Sequence, residues 1–130
     1  MPDTSEILRK YRTIAVVGLS NNPSRPSYGV SSYMKSQGYK IIPVNPGHTE
    51  ILGEKSYRTL EDIPEPVEIV NVFRRSELIP PVVDSAIAIG AKVVWLQEGI
   101  THPEAAAKAE AAGLQVIMDT CILKEHRWLR

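Results

Sequence analysis

The sequence predicts a doubly wound α/β protein, a five-stranded parallel sheet with helices on both faces. Two observations carry this reading. Five short apolar, β-branched runs recur at residues 13–17, 40–44, 68–72, 92–96 and 114–118. They are near-continuous rather than alternating, as strands covered on both faces are. Helical patterns lie between most of them, and such alternation implies parallel pairing through right-handed crossovers. The 130 residues suit one domain, 1–130, with no Ser/Gly-rich linker, repeat or low-complexity tract dividing them.

Asp3, followed three residues later by Glu6, suggests a capped first helix through Lys10. After the first strand, Ser27 is expected to cap a helix to about Gln37, with Val30, Tyr33 and Met34 on one face and Gly38 at its end. Between the second and third strands, Gly47, Gly53, Pro64 and Pro66 predict an irregular crossover, with a helical turn at 60–63. Ile79, Val82, Val83, Ala86 and Ile87 follow helical spacing, and Gly90 stops that helix. Pro80 and Pro81 fit only its first turn, where backbone N–H groups lack partners. Pro103 opens an alanine-rich helix closed by Gly113, with Glu104 and Lys108 as an i, i+4 pair. A last helix is expected over 122–129. The expected strand order is 3-2-1-4-5, the Rossmann-like arrangement.

Fifteen basic and fifteen acidic side chains cancel. Whole-molecule charge therefore gives no argument for nucleic acid or an anionic membrane. A single cysteine excludes an internal disulfide framework and fits a reducing compartment. The charged N-terminal stretch lacks the apolar segment of a signal peptide. No apolar run approaches the ~18 residues that span a bilayer. A soluble cytoplasmic protein is expected.

Ligands of such sheets bind beyond the carboxyl ends of the strands, here near the expected switch between the first and fourth. The residues following each strand are Gly18-Leu19-Ser20, Asn45-Pro46-Gly47-His48, Phe73-Arg74-Arg75, Gln97-Glu98-Gly99 and Asp119-Thr120-Cys121. Glycine, small polar groups and cations gather at one rim. In the loop GLSNNPSRPSYG (18–29), Gly18 lets a ligand approach the backbone and Ser20 offers a hydroxyl. Ser27 and the following N–H groups begin a helix, which attracts phosphate. Arg25 adds a charged donor, and Pro23 and Pro26 stiffen the loop. The bland alternative is a proline-rich connection with a capping serine. No G-x-G-x-x-G follows Val17, and the second strand ends in Val44-Asn45-Pro46 instead of an acidic ribose ligand. The fingerprint for NAD is missing, although Asn45 could bond a ribose hydroxyl.

The stretch from IAVVGLSNNPSRPSYG through PVNPGHTE to LEDIP resembles the small stand-alone CoA-binding domain proteins. These are similar to the N-terminal domain of the succinyl-CoA synthetase α subunit. The resemblance continues through VFRRSE, WLQEGI and MDTCILKEHRWL, so it covers nearly the whole chain. It implies a Rossmann-like fold that binds coenzyme A, or an acyl-CoA, at the strand ends. Gly18, Ser20, Arg25 and Ser27 would face the pyrophosphate. Val44, Asn45 and Pro46 would edge the adenosine, and Phe73 and Arg74 would line the nucleotide pocket. Gln97, Glu98 and Gly99 match the synthetase turn near the pantetheine arm. His48 stands where the synthetase carries a lysine, so Arg25, Arg74 or Arg75 would have to supply the cation.

Nothing points to catalysis as strongly. His48, His102 and His126 form no metal-binding pattern, and no serine lies in G-x-S-x-G. His102 reads as a helix-start residue and His126 as part of the tail helix. Glu98 is the best candidate acid or base, but a carboxylate without a partner rarely defines a reaction. Cys121 reads as a small buried residue; the alternative is a reactive thiol that pairs with the CoA thiol. Trp95 and Trp128 read as core or interface fillers. The expected function is a non-catalytic CoA carrier, sensor or regulatory module. The alternatives are an NAD(P)-dependent oxidoreductase and a subunit of an acyl-CoA ligase.

Overall fold

The computed structural model describes residues 2–129. In chain order the elements are α1 (Thr4–Lys10), β1 (Thr13–Val17), α2 (Pro26–Ser36), β2 (Lys40–Val44), the two-residue strands β3 (Glu50–Ile51) and β4 (Glu54–Lys55), β5 (Ile69–Val72), α3 (Ile79–Ala88), β6 (Val93–Leu96), α4 (Pro103–Ala111), β7 (Gln115–Ile117) and α5 (Ile122–Arg127). Turns of 3-10 helix at Leu60–Asp62 and Ser76–Leu78 complete the chain.

Five strands form one parallel sheet in the order β2-β1-β5-β6-β7. The fold is therefore the predicted doubly wound, Rossmann-like α/β class. Alternate side chains of each strand enter opposite layers. Ala15, Val17, Val70, Val72, Val94 and Leu96 pack under α3 and α4. Ile14, Val16, Ile69, Val93, Trp95 and Ile117 pack under α1, α2 and α5. Helices cover both faces, so β5 and β6 are buried along their whole length. Three alanines of α4, Ala105, Ala106 and Ala109, are buried against the sheet and let that helix lie close to it.

The expected 3-2-1-4-5 pattern exists, but a different stretch fills its outer place. Beside β2 lies Tyr57, which makes one parallel bridge with Val44. Its N–H donates to the Pro43 carbonyl at 3.0 Å and its carbonyl accepts from Asn45 N–H at 2.9 Å. The run expected there, Ile69–Val72, pairs instead with β1, Ile14 opposite Ile69 through Val17 opposite Val72. The reason is physical. Residues 46–66, broken by glycine and proline, can supply only the β3–β4 hairpin and a single bridge. The apolar run Ile69–Val72 needs cover on both faces, which the centre of the sheet provides. The winding thus reverses between β1 and β5, not between β1 and the strand at 92–96.

Asp3 caps α1 as expected, accepting from the N–H groups of Ser5 and Glu6. His102 caps α4, its Nδ1 accepting from Ala105 N–H at 3.1 Å. Two local readings are corrected. Lys108 does not pair with Glu104; it reaches Asp84 of α3 at 2.6 Å and so bridges neighbouring helices. Ser27 is not the cap of α2, because Pro26 carries the helix one residue further back and Arg25 takes the cap position.

Candidate functional site

Where the winding reverses, β1 and β5 send their following loops in opposite directions and leave a crevice between them. An open cleft of about 610 Å³ lies there. The loop after β1 contributes Gly18, Ser20, Arg25, Pro26 and Ser27 to its walls. The loop after β5 contributes Phe73, Arg74, Arg75, Ser76 and Glu77, and the turn after β6 contributes Gly99 and Ile100.

The first loop is held by its own polar side chains. The buried Ser27 hydroxyl accepts the N–H of Ser20 at 2.9 Å. Ser20 Oγ accepts the N–H of Asn22, and Asn22 Oδ1 accepts both the N–H and the hydroxyl of Ser24. Such side-chain turns fix a loop with few glycines. No side chain caps the first turn of α2, so its N-terminus opens on the cleft without a side-chain acceptor, although the N–H groups of Tyr28 and Gly29 already bond the Arg25 carbonyl at 3.1 and 3.3 Å. Gly18 is at φ +86, and its N–H donates to the Val44 carbonyl at 3.1 Å. On the far rim, Gly99 is at φ +81 and donates to Asp119 Oδ1 at 2.6 Å. The Ser76 hydroxyl accepts from Thr101 N–H at 3.2 Å and ties the second wall to the third.

The cleft is cationic. Arg25, Arg74 and Arg75 line it against one carboxylate, Glu77. Glu77 pairs with Arg75 at 3.3 Å. Arg25 and Arg74 make no ion pair among the described residues. Two free guanidinium groups beside an uncapped helix N-terminus form a receptor for an oxyanion.

Seven of the twelve residues singled out from the sequence therefore meet in one cleft: Gly18, Ser20, Arg25, Ser27, Phe73 and Arg74, with Gly99 from the third loop. The other five stand elsewhere. Val44 lines a second, smaller hollow alongside Arg74. Asn45 fastens loops together: its Nδ2 donates to the Leu19 carbonyl at 2.9 Å and its Oδ1 accepts from Gly47 N–H at 2.8 Å. A ribose hydroxyl would have to compete with both bonds. Pro46 is exposed outside both hollows. Gln97 is buried, and its Oε1 accepts the N–H of Ile122 at the start of α5. Glu98 points outward and pairs with Lys124 at 3.0 Å. That hydrogen bond, with the attraction behind it, raises the Lys124 ammonium above its usual range. Pro26, Ser76 and Ile100 were missed, because only the folded loops bring them to the rim.

Cys121 is buried at the start of the six-residue α5, which fits the small-core-residue reading. Trp95 is fully buried and its indole N–H donates to the Thr120 carbonyl at 2.8 Å. Trp128, by contrast, is 73% exposed. His126 lies on α5, its Nδ1 2.8 Å from the Tyr33 hydroxyl. Burial, and then the nearby Arg12, lower its pKa from the usual value. Among the described residues no three His, Cys, Asp or Glu side chains are grouped to hold a metal ion, and no helix is long and apolar enough to cross a membrane.

Comparison with known proteins defines the class. The sequence profile of the CoA binding domain matches residues 12–127. An uncharacterized protein of Bacillus subtilis, YneT, is 46% identical over 95% of this chain and 92% of its own length. The chain belongs to the CoA-binding-domain family. A hypothetical protein from Pyrococcus horikoshii superposes with a TM-score of 0.95 at 42% identity, over 98% of this chain and 89% of that one. An ADP-forming acetate–CoA ligase of Archaeoglobus fulgidus is 29% identical over 71% of this chain, but the match spans only 14% of the ligase.

Proposed function

We propose that the protein binds coenzyme A or an acyl-CoA in the cleft between β1, β5 and β6, as a carrier, sensor or regulatory module without chemistry of its own. The observation that carries this reading is the pair of unpartnered arginines, Arg25 and Arg74, beside the uncapped start of α2. A pyrophosphate there would receive charge-assisted hydrogen bonds from both guanidinium groups and from backbone N–H groups. The adenosine would extend toward Val44 and the pantetheine arm toward Gly99 and Ile100. The absence of an acidic ribose ligand after β2 suits a nucleotide with an extra ribose phosphate better than NAD.

The non-catalytic part of the proposal has its own support. Glu77 is the single carboxylate on the cleft wall and is paired with Arg75, while Glu98 is engaged by Lys124 outside it. Among the described residues no histidine or cysteine lines the cleft. Such a lining has donors to hold an anion but no free base to drive a proton transfer.

The double variant Arg25→Ala, Arg74→Ala tests the assignment. Each lost charged hydrogen bond is worth ~1.5–3 kcal/mol, so CoA should bind about 100-fold more weakly or worse while the circular dichroism spectrum and melting temperature stay unchanged. Unaltered affinity in the double variant would remove the phosphate assignment.

A further inference from the structure

The large cleft does not end at Arg74. A second hollow of about 350 Å³ adjoins it, and Arg74 belongs to the walls of both. Its floor is apolar: Val17 and Val44 from the ends of β1 and β2, Leu60 from the 3-10 turn, and Val82 from α3. Its rim carries Arg58 together with the Thr59 hydroxyl and the Glu61 carboxylate. Arg58 is exposed and, among the described residues, forms neither an ion pair nor a side-chain hydrogen bond.

An apolar floor of this size suits a flat heterocycle, and a free guanidinium at its rim suits an anion attached to it. The pyrophosphate donors, Ser20, Arg25 and the start of α2, all lie in the other cleft. Arg58 is therefore left for a separate phosphate. On the CoA reading above, on which this inference rests, one such group exists: the phosphate monoester on the adenosine ribose. We infer that Arg58 reads this ribose phosphate and makes the protein selective for CoA over its dephospho form. A monoester offers a guanidinium two or three oxygens in the fork geometry it bonds best. Glu61 repels the phosphate from its own side of the hollow and can accept from a ribose hydroxyl or the adenine amino group. Arg58 stands in the glycine- and proline-broken crossover, directly after the single bridge of Tyr57 to Val44, and with no apolar run before it no rim pattern in the sequence singles it out.

Titration calorimetry with CoA and 3′-dephospho-CoA, on the wild type and on Arg58→Gln, tests the inference. Arg58 is exposed, so its replacement should leave the fold intact, as a thermal melt would verify. The wild type should prefer CoA by ~10-fold or more. The variant should lose that preference while holding dephospho-CoA as tightly as the wild type does. Equal binding of the two ligands by the wild type would overturn the inference and leave the CoA assignment standing, as would a preference that survives in Arg58→Gln. Binding of neither ligand by the wild type would overturn both.

Discussion

Gly18 and Phe73 approach so closely that no side chain fits between them. A Cβ at position 18 would overlap the Phe73 carbonyl oxygen and sit 3.2 Å from its carbonyl carbon. The same glycine is at φ +86, where L residues are strained. This contact joins the two loops that leave β1 and β5, and it sets the width of the cleft between them.

Gly18→Ala should therefore destabilise the protein by about 2 kcal/mol or more, through backbone strain and the clash together. Gly29→Ala is the control, since a Cβ there meets nothing within 4 Å. Equal denaturant midpoints for the two variants would show that the loops can part without cost.

Glu98→Gln should leave ligand affinity unchanged. Its carboxylate lies outside the cleft and meets Lys124 in water, where a single ion pair contributes little. A tenfold loss of CoA affinity in this variant, measured by calorimetry, would mean that the pantetheine arm takes a different path.

His126 makes stability depend on pH. Burial between Tyr33 and Tyr39, and then Arg12, hold its imidazole neutral below the usual 6.5. The unfolded chain therefore takes up the proton first as pH falls. This contribution to stability is fully present above about pH 6.5 and is lost as pH drops through the depressed folded value. Urea midpoints at pH 7.5 and pH 5 should show a larger fall for the wild type than for His126→Gln. Identical slopes would exclude this histidine as the source.

The sequence made the five strands legible because strands buried on both faces are written as continuous apolar runs, and caps such as Asp3 and His102 have local signatures. It did not reveal that Ile69–Val72 joins β1, because pairing partners depend on which segment can fill the edge. Tyr57 fills it with one bridge, which no periodicity announces. The loop after β1 was readable in its place on the rim, where Gly18, Ser20, Arg25 and Ser27 line the cleft, but not in its bonds: Ser27 was expected to cap α2 and instead accepts the Ser20 N–H. Gln97 and Asn45 were not, because rim position says nothing of where a side chain turns. One reaches down to cap α5 and the other sideways to hold Leu19 and Gly47. Arg58 lay hidden for a related reason: it reaches its hollow from an irregular crossover.

The central claim is that this cleft takes CoA and not a nicotinamide dinucleotide. Titration calorimetry of the wild type against CoA, acetyl-CoA, NAD and NADH tests it most directly. The account predicts saturable binding of CoA or acetyl-CoA at one site per chain, with NAD and NADH far weaker. Tight binding of NADH with no binding of either CoA form would contradict it.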